Sequence, residues 1–258
     1  MNTPGFDINP KVNPIGFEFG PGCLSPPIER RTLNSIRWSL RDPTCSGPEV
    51  VYAIAMDIGK REHYSLLTEK NLLYGAVIFS TGRMGNEPIR SQGHVHAISS
   101  QSGCSTPEVC EVWQGKAIFY MQENANDNPG RCFAVHAGPG EVVIIPPGWA
   151  HSTINSDPDK VLVMGAWAVR DYEFNYKGVQ NHQGLSWFPV FGADGRIRWE
   201  HNDRYKHQDL TEKTPSTHHH FSIEKGVSIY KQFERDSDRF LFVNDPQQKK
   251  EHWADFIP

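Results

Sequence analysis

Residues 91–122 read SQGHVHAISSQSGCSTPEVCEVWQGKAIFYMQ, and residues 140–155 read GEVVIIPPGWAHSTIN. These two stretches decide the fold. His94 and His96 lie two positions apart, which on a strand puts both imidazoles on one face. Two imidazoles side by side form a chelate for a borderline transition metal. Glu108 opens the next apolar run, and Gly115 lies seven residues beyond it. In the second stretch Gly140 leads into an apolar strand, Pro146-Pro147-Gly148 turns it, and His151 begins the next strand, with Asn155 four residues on. Glu111 is the rival carboxylate, but it stands an odd number of positions from Glu108 and so belongs to the other face of that strand. His136, just before the AGPGE turn, reads as structural. Cys110 shares the face of Glu108, where it either lines a cavity or is buried as a small apolar residue.

Outward from these stretches, residues 49–200 keep one texture. VVYAIAMDI, YGAVIFS, VCEVW, AIFYMQ, CFAVHA, EVVIIPP, KVLVMGAWAV and LSWFPVF alternate with Gly, Pro, Asn and Asp. Short runs rich in Val, Ile, Phe, Tyr and Trp between turn signals predict the strands of a sandwich or barrel, with no helix and no βαβ pattern. Residues 1–48 read as an arm with few elements, followed by a helix. Ser25 is its expected N-cap, Pro26 and Pro27 its first turn, IERRTLNSIRWSL its body, and Arg41-Asp42-Pro43 its stop. Residues 201–258 read as a polar extension with helices expected near 223–235 and 247–256. The His218-His219-His220 run is expected to be a solvated loop.

The first stretch resembles cupin motif one, HxH, Glu, six residues, Gly; the second resembles motif two, Gly, five residues, Pro-x-Gly, two residues, His, three residues, Asn. The resemblance implies an all-β core, the cupin double-stranded β-helix or jelly-roll barrel, in which His94, His96, Glu108 and His151 converge on one divalent metal ion. The gap from His96 to Glu108 is longer than the motif's. Its insert, SSQSGCSTP, is polar and is expected to be a surface loop at the barrel mouth. Three imidazoles and one carboxylate leave positions open on a six-coordinate ion, whereas a structural zinc site would be closed. A mixed nitrogen and oxygen set without thiolate suits Fe, Mn, Ni, Co or Zn.

Residues 72–199 are more narrowly similar to the cupin-type glucose-6-phosphate isomerases, an archaeal family. The similarity rests on SQGHVHA, PEVCEVWQGKAIFYMQ, AGPGEVVIIPPGWAHSTIN and the AW…RDY…KG segment. It implies that Ser91 and the Gly93 backbone bind the substrate phosphate, that Tyr172 lines the sugar pocket, and that Glu108 is both metal ligand and proton shuttle. Two positions depart from the family pattern. Cys110 stands where members commonly carry Tyr. Arg170 stands where they carry His before Asp-Tyr, and an Arg there binds phosphate in a bidentate way. The implied reaction is metal-dependent aldose–ketose isomerisation of a sugar phosphate, glucose 6-phosphate and fructose 6-phosphate or close analogues. The same ligands serve other cupin enzymes, such as an Fe(II) dioxygenase, and a non-catalytic sugar-binding cupin.

Composition narrows the classes further. The chain has 258 residues and a formal charge of −4, with 38% hydrophobic and 22% charged residues. That is an ordinary globular balance. Its mild acidity argues against nucleic acid or an anionic membrane as the partner. No apolar run approaches the roughly 18–20 residues of a membrane span, and the polar, Pro-rich start does not read as a signal peptide. Five cysteines with no CxxC pair suit a reducing cytoplasm. The cupin resemblance implies pairing through strand edges and arms, so a homodimer is expected.

Overall fold

The computed structural model describes residues 4–258 and begins with a hairpin, β1 (Ile8–Val12) and β2 (Ile15–Phe19). Then come β3 (Ile28–Thr32), a single turn α1 (Leu33–Ile36), β4 (Val50–Met56), α2 (Tyr64–Glu69) and β5 (Leu72–Phe79). A minimal ribbon of β6 (Arg83–Met84) and β7 (Glu87–Pro88) precedes the motif strands. These are β8 (Val95–His96), β9 (Glu108–Gln114), β10 (Ala117–Gln122), β11 (Cys132–Ala137), β12 (Val142–Ile145), β13 (Ala150–Asn155) and β14 (Leu162–Val169). The chain continues through β15 (Phe174–Asn175), α3 (Lys177–Asn181), the hairpin β16 (Trp187–Phe191) and β17 (Ile197–His201), and β18 (Leu210–Lys213). It finishes with α4 (Ile229–Arg235), α5 (Leu241–Asn244) and α6 (Lys250–Trp253).

Two sheets face each other in the cupin arrangement: a six-stranded sheet ordered β12-β9-β14-β5-β4-β3 and a four-stranded sheet ordered β13-β10-β11-β18. Register decides what each face carries. Phe79 lies opposite Tyr52 and Leu162, Val77 opposite Ile54 and Met164, and Cys110 opposite Ala166 and Val143. Cross-strand partners share a face, so these side chains form one inner layer. They pack against Phe119, Met121, Phe133 and Val135 of the smaller sheet. At the open end of this layer the packing gives way to a cavity.

The outer face of the large sheet is also dry. Tyr74, Trp113 and Trp167 pack there against Tyr230, Phe233, Phe240 and Phe242 of the C-terminal segment. Burial on both faces is why these strands read as continuous apolar runs rather than as alternating ones. Each such side chain contributes about 1.5–3 kcal/mol by leaving water. Gly115 turns β9 into β10 with φ +87, and a Cβ there would sit 2.5 Å from the Val161 carbonyl oxygen. That position therefore needs glycine.

Several expectations for the flanks are overturned. The N-terminal arm, expected to hold few elements, forms a hairpin whose Ile8, Ile15 and Phe17 are buried in the outer core. Ser25 does not start a helix. Residues 28–32 form the edge strand β3, since the apolar spacing before Leu33 has no helical period, and the helix starts at Thr32, whose hydroxyl accepts from the Ser35 N–H. The short helices α2 and α3 interrupt the stretch expected to be all strand. In the polar extension, β18 pairs in parallel with β11. The C-terminal helices are shorter than expected: Ser228 caps α4 by accepting from the Lys231 N–H, and a 3₁₀ turn over Pro246–Lys249 precedes α6. His218 is buried, not solvated, and stacks on Phe256 with ring centroids 5.7 Å apart. Among the described residues no helix is long and apolar enough to cross a membrane.

Candidate metal centre and cavity

Residues 89–96 run beside β13 and extend the smaller sheet. The His94 N–H donates to the His151 carbonyl at 3.1 Å, and the His151 N–H donates back to the His94 carbonyl at 3.0 Å. This closely spaced pair sets the two imidazoles together, with ring centroids 4.4 Å apart. His96, two residues along the same face, brings its ring to 4.8 Å from that of His151. The three histidines place their ligand nitrogens within 4.8 Å of one another.

The outer nitrogens are held by backbone. His96 Nδ1 pairs with the Thr106 carbonyl at 2.8 Å and His151 Nδ1 with the Trp149 carbonyl at 3.1 Å. Such contacts orient metal-binding histidines and fix which nitrogen is free. The nitrogens left facing inward lack partners: His94 Nε2 and His151 Nε2 are buried without a hydrogen bond. Buried polar atoms normally find partners, so these two fit a ligand-bound role. Glu108 reaches the same point from β9, its Oε2 3.6 Å from His151 Nε2 and 3.8 Å from His96 Nε2.

The electrostatics suit a cation. Burial, reinforced by the His151 and His96 charges, pushes His94 well below the ordinary histidine value; burial, reinforced by the His151 charge, pushes His96 down to about 4. Both are therefore neutral and able to donate a lone pair at pH 7. Burial alone would raise the Glu108 carboxyl, but the neighbouring His151 and His96 imidazoles outweigh it and hold the group below its ordinary value. Neutral imidazoles beside an ionised carboxylate make a coherent donor set for a divalent ion. Glu111, by contrast, faces the outer core, where it accepts from the Ile229 N–H at 3.4 Å. His136 lies on the outside, 2.8 Å from Glu212 of β18.

The cluster opens into a cavity of about 90 Å³ lined also by Ser91, Tyr172, Arg31, Tyr52, Thr106, Thr153, Phe174 and Tyr176. Ser91 is pinned: its Oγ accepts from the Thr153 N–H at 3.0 Å and lies 3.2 Å from Ser152 Oγ. The insert after His96 sits at the cavity edge. The Asp171 carboxylate clasps it, accepting from the Ser100 N–H and from the Ser99 and Ser100 hydroxyls at 2.8–3.1 Å.

Three of the expected site residues do not line this cavity. Arg170 is turned away, its two terminal nitrogens held by Asp57 at 2.7 and 2.8 Å. Gly93, at φ +84, faces Leu185, whose side chain would lie 3.0 Å from an added Cβ. Cys110 is buried in the inner layer beside Glu108, and burial raises its thiol well above the ordinary value. It stays a protonated thiol. The residues that sequence reasoning missed, Arg31, Tyr52 and Tyr176, come from strand β3, read as helix, from β4, and from the segment after Tyr172. The signal for Tyr52 was alternation, since Tyr52, Ile54 and Met56 line the cavity at every second position.

Curated relatives point the same way. Glucose-6-phosphate isomerase of Thermococcus kodakarensis is 26% identical over 141 residues, covering 54% of this chain and 67% of that protein. The Thermococcus litoralis enzyme of the same name is 28% identical over 138 residues, covering 54% and 66%. The matched stretch thus spans about two thirds of those relatives. Solved structures overlap only in part, for example hazelnut (Corylus avellana) vicilin at TM-score 0.37 and 11% identity, covering 50% of this chain and 33% of that one. A Bacillus subtilis oxalate decarboxylase variant aligns at TM-score 0.33 and 14% identity, covering 48% and 27%. The profile described as glucose-6-phosphate isomerase (GPI) matches residues 41–208, more than half of the 258 residues, and the chain therefore belongs to the cupin-type glucose-6-phosphate isomerase family.

Proposed function

We propose that this cavity interconverts the aldose and ketose forms of a sugar phosphate, glucose 6-phosphate and fructose 6-phosphate, with one divalent ion held by His94, His96, Glu108 and His151. The observation that carries this reading is the convergence of two unpartnered buried imidazole nitrogens and an ionised carboxylate inside a lined cavity. The donor set suits Fe, Mn, Ni, Co or Zn, and the protonated Cys110 thiol keeps it free of thiolate. A divalent ion bound there supplies Lewis acidity toward the carbonyl and the adjacent hydroxyl.

The chain's own groups do the rest. Glu108, kept ionised, takes the proton from C2 of the open-chain aldose and returns it to C1 through an enediol. The Ser152 hydroxyl donates to the Ser91 carbonyl at 2.8 Å and so accepts from the Ser91 hydroxyl at 3.2 Å, a contact the Ser91 hydrogen exchanges for the substrate phosphate. The Tyr172 ring walls the sugar, held by Phe174 at 5.4 Å between centroids. The apolar lining of Ile54, Val77, Phe79 and Met164 limits water at the reacting carbons. The enzyme acts as a homodimer in this reading, which light scattering checks.

Metal-loaded protein is assayed by proton NMR in D₂O against a panel of phosphorylated and free aldoses and ketoses. Interconversion of glucose 6-phosphate and fructose 6-phosphate, with solvent deuterium entering the carbon that receives the proton, is expected. Turnover of no sugar in the panel rejects the reading. Turnover without deuterium removes Glu108 as the proton carrier and leaves a direct hydride shift.

A further inference from the structure

An anionic substrate calls for a cation in the cavity, and Arg170 is occupied by Asp57. Among the described residues, Arg31 is the one Lys or Arg side chain that lines the cavity. It belongs to β3, ahead of the 41–208 stretch that matches the family. The sheet explains its direction. Arg31 pairs with Tyr52 across β3 and β4, Tyr52 pairs with Phe79 across β4 and β5, and all three face the cavity. The adjacent Arg30 points to the opposite face, where its Nε donates to the Ile15 carbonyl at 3.0 Å.

The Arg31 guanidinium is only half engaged. One terminal nitrogen meets Glu29 Oε1 at 2.7 Å, and Glu29 is more than half exposed. Such an ion pair is weak and readily exchanged for a better anion. The Arg31 Nε is buried and has no hydrogen-bond partner. Three phenols, Tyr52, Tyr172 and Tyr176, line the cavity with it and, like His94, feel its charge. A planar guanidinium beside hydroxyl donors matches the geometry of a phosphoryl group.

We propose that Arg31 is the specificity-determining residue that receives the phosphate of the substrate, while the histidine cluster takes the carbonyl end. This rests on the isomerase reading for the identity of the substrate, and it places the anion selector outside the family's matched core.

The test uses full-length, metal-loaded wild type, Arg31→Gln, Arg31→Lys and, as control, Arg30→Gln. Turnover of glucose 6-phosphate is followed together with calorimetric binding of glucose 6-phosphate, inorganic phosphate and uncharged glucose. Arg31→Gln is expected to raise KM and Kd for glucose 6-phosphate about 10- to 100-fold, the usual range for one charged contact. Glucose binding and metal content stay at wild-type levels, Arg31→Lys recovers part of the loss, and Arg30→Gln behaves as wild type. Unchanged KM and Kd in Arg31→Gln overturn the assignment even if the enzyme turns over normally. Arg31-dependent phosphate binding by a wild type that isomerises nothing upholds the anion site and rejects the isomerase reading. Absence of binding to both phosphate probes overturns the anion site.

Discussion

His218 offers a stability test whose size follows from its surroundings. Its ring is 8% exposed, stacks coplanar on Phe256, and leaves Nε2 without a partner. Burial, aided by the Lys213 charge, pushes it down to about 4 from an ordinary 6.5. The folded protein therefore holds a neutral imidazole where the unfolded chain takes up a proton. Between pH 6.5 and 4 the unfolded state binds more protons, so stability that is fully present above pH 6.5 falls as the pH drops through this window. The full gap is worth about 3 kcal/mol, of which about 2 kcal/mol is lost between pH 7 and pH 5. For a chain of this size that is roughly 4–8 °C in Tm. The assay is urea unfolding of wild type and His218→Phe at both pH values; the phenyl ring keeps the stack and removes the titration. The stability difference between the two proteins is expected to shift by about 2 kcal/mol in favour of the variant at pH 5. A difference that is the same at both pH values would mean that His218 is not held neutral in the folded protein, because a buried neutral histidine cannot be silent there.

Two further substitutions probe packing and the place of Arg170. Gly165→Ala puts a methyl 2.6 Å from the Tyr74 hydroxyl and 2.7 Å from Trp113 Cε2 in the middle of the large sheet, and overpacking of this kind should cost about 3 kcal/mol in urea unfolding. Arg170→Ala removes the Asp57 pair on the sheet's flank, so it should lower stability by about 1 kcal/mol, read from the urea midpoint, and leave KM for glucose 6-phosphate within about twofold; a large KM rise would return Arg170 to the substrate.

The meeting of His94, His96, Glu108 and His151 was legible because it is local. HxH on one strand, Glu108 by parity and His151 after a turn each follow from period-two geometry, and the parity that excluded Glu111 is the parity the sheet adopts. The strands of the two sheets were legible on other grounds, as short runs rich in Val, Ile and aromatic residues between turn signals. What could not be read was the far end of the cavity. Arg31 faces the cavity only because β3 pairs with β4, and IERRT has no apolar alternation to announce a strand. Arg170 looked like a phosphate ligand because its partner, Asp57, is distant in sequence, and only folding brings the two together. The C-terminal segment is polar on average, yet its few aromatic residues share with the N-terminal hairpin the covering of a sheet face. The apolar outer positions of β5, β9 and β14 signalled that some cover was required, without saying which segment supplied it.

In the proposed function isomerisation depends on one ion held by this cluster. Chelator-stripped protein is titrated with Mn²⁺ while glucose 6-phosphate and fructose 6-phosphate are followed and bound metal is counted. Activity should rise from background to a plateau at one ion per chain, and His96→Ala and His151→Ala should bind less metal and show no rise. Full activity in the stripped protein, or a plateau that His96→Ala and His151→Ala share with wild type, would show that isomerisation does not run through an ion at this cluster.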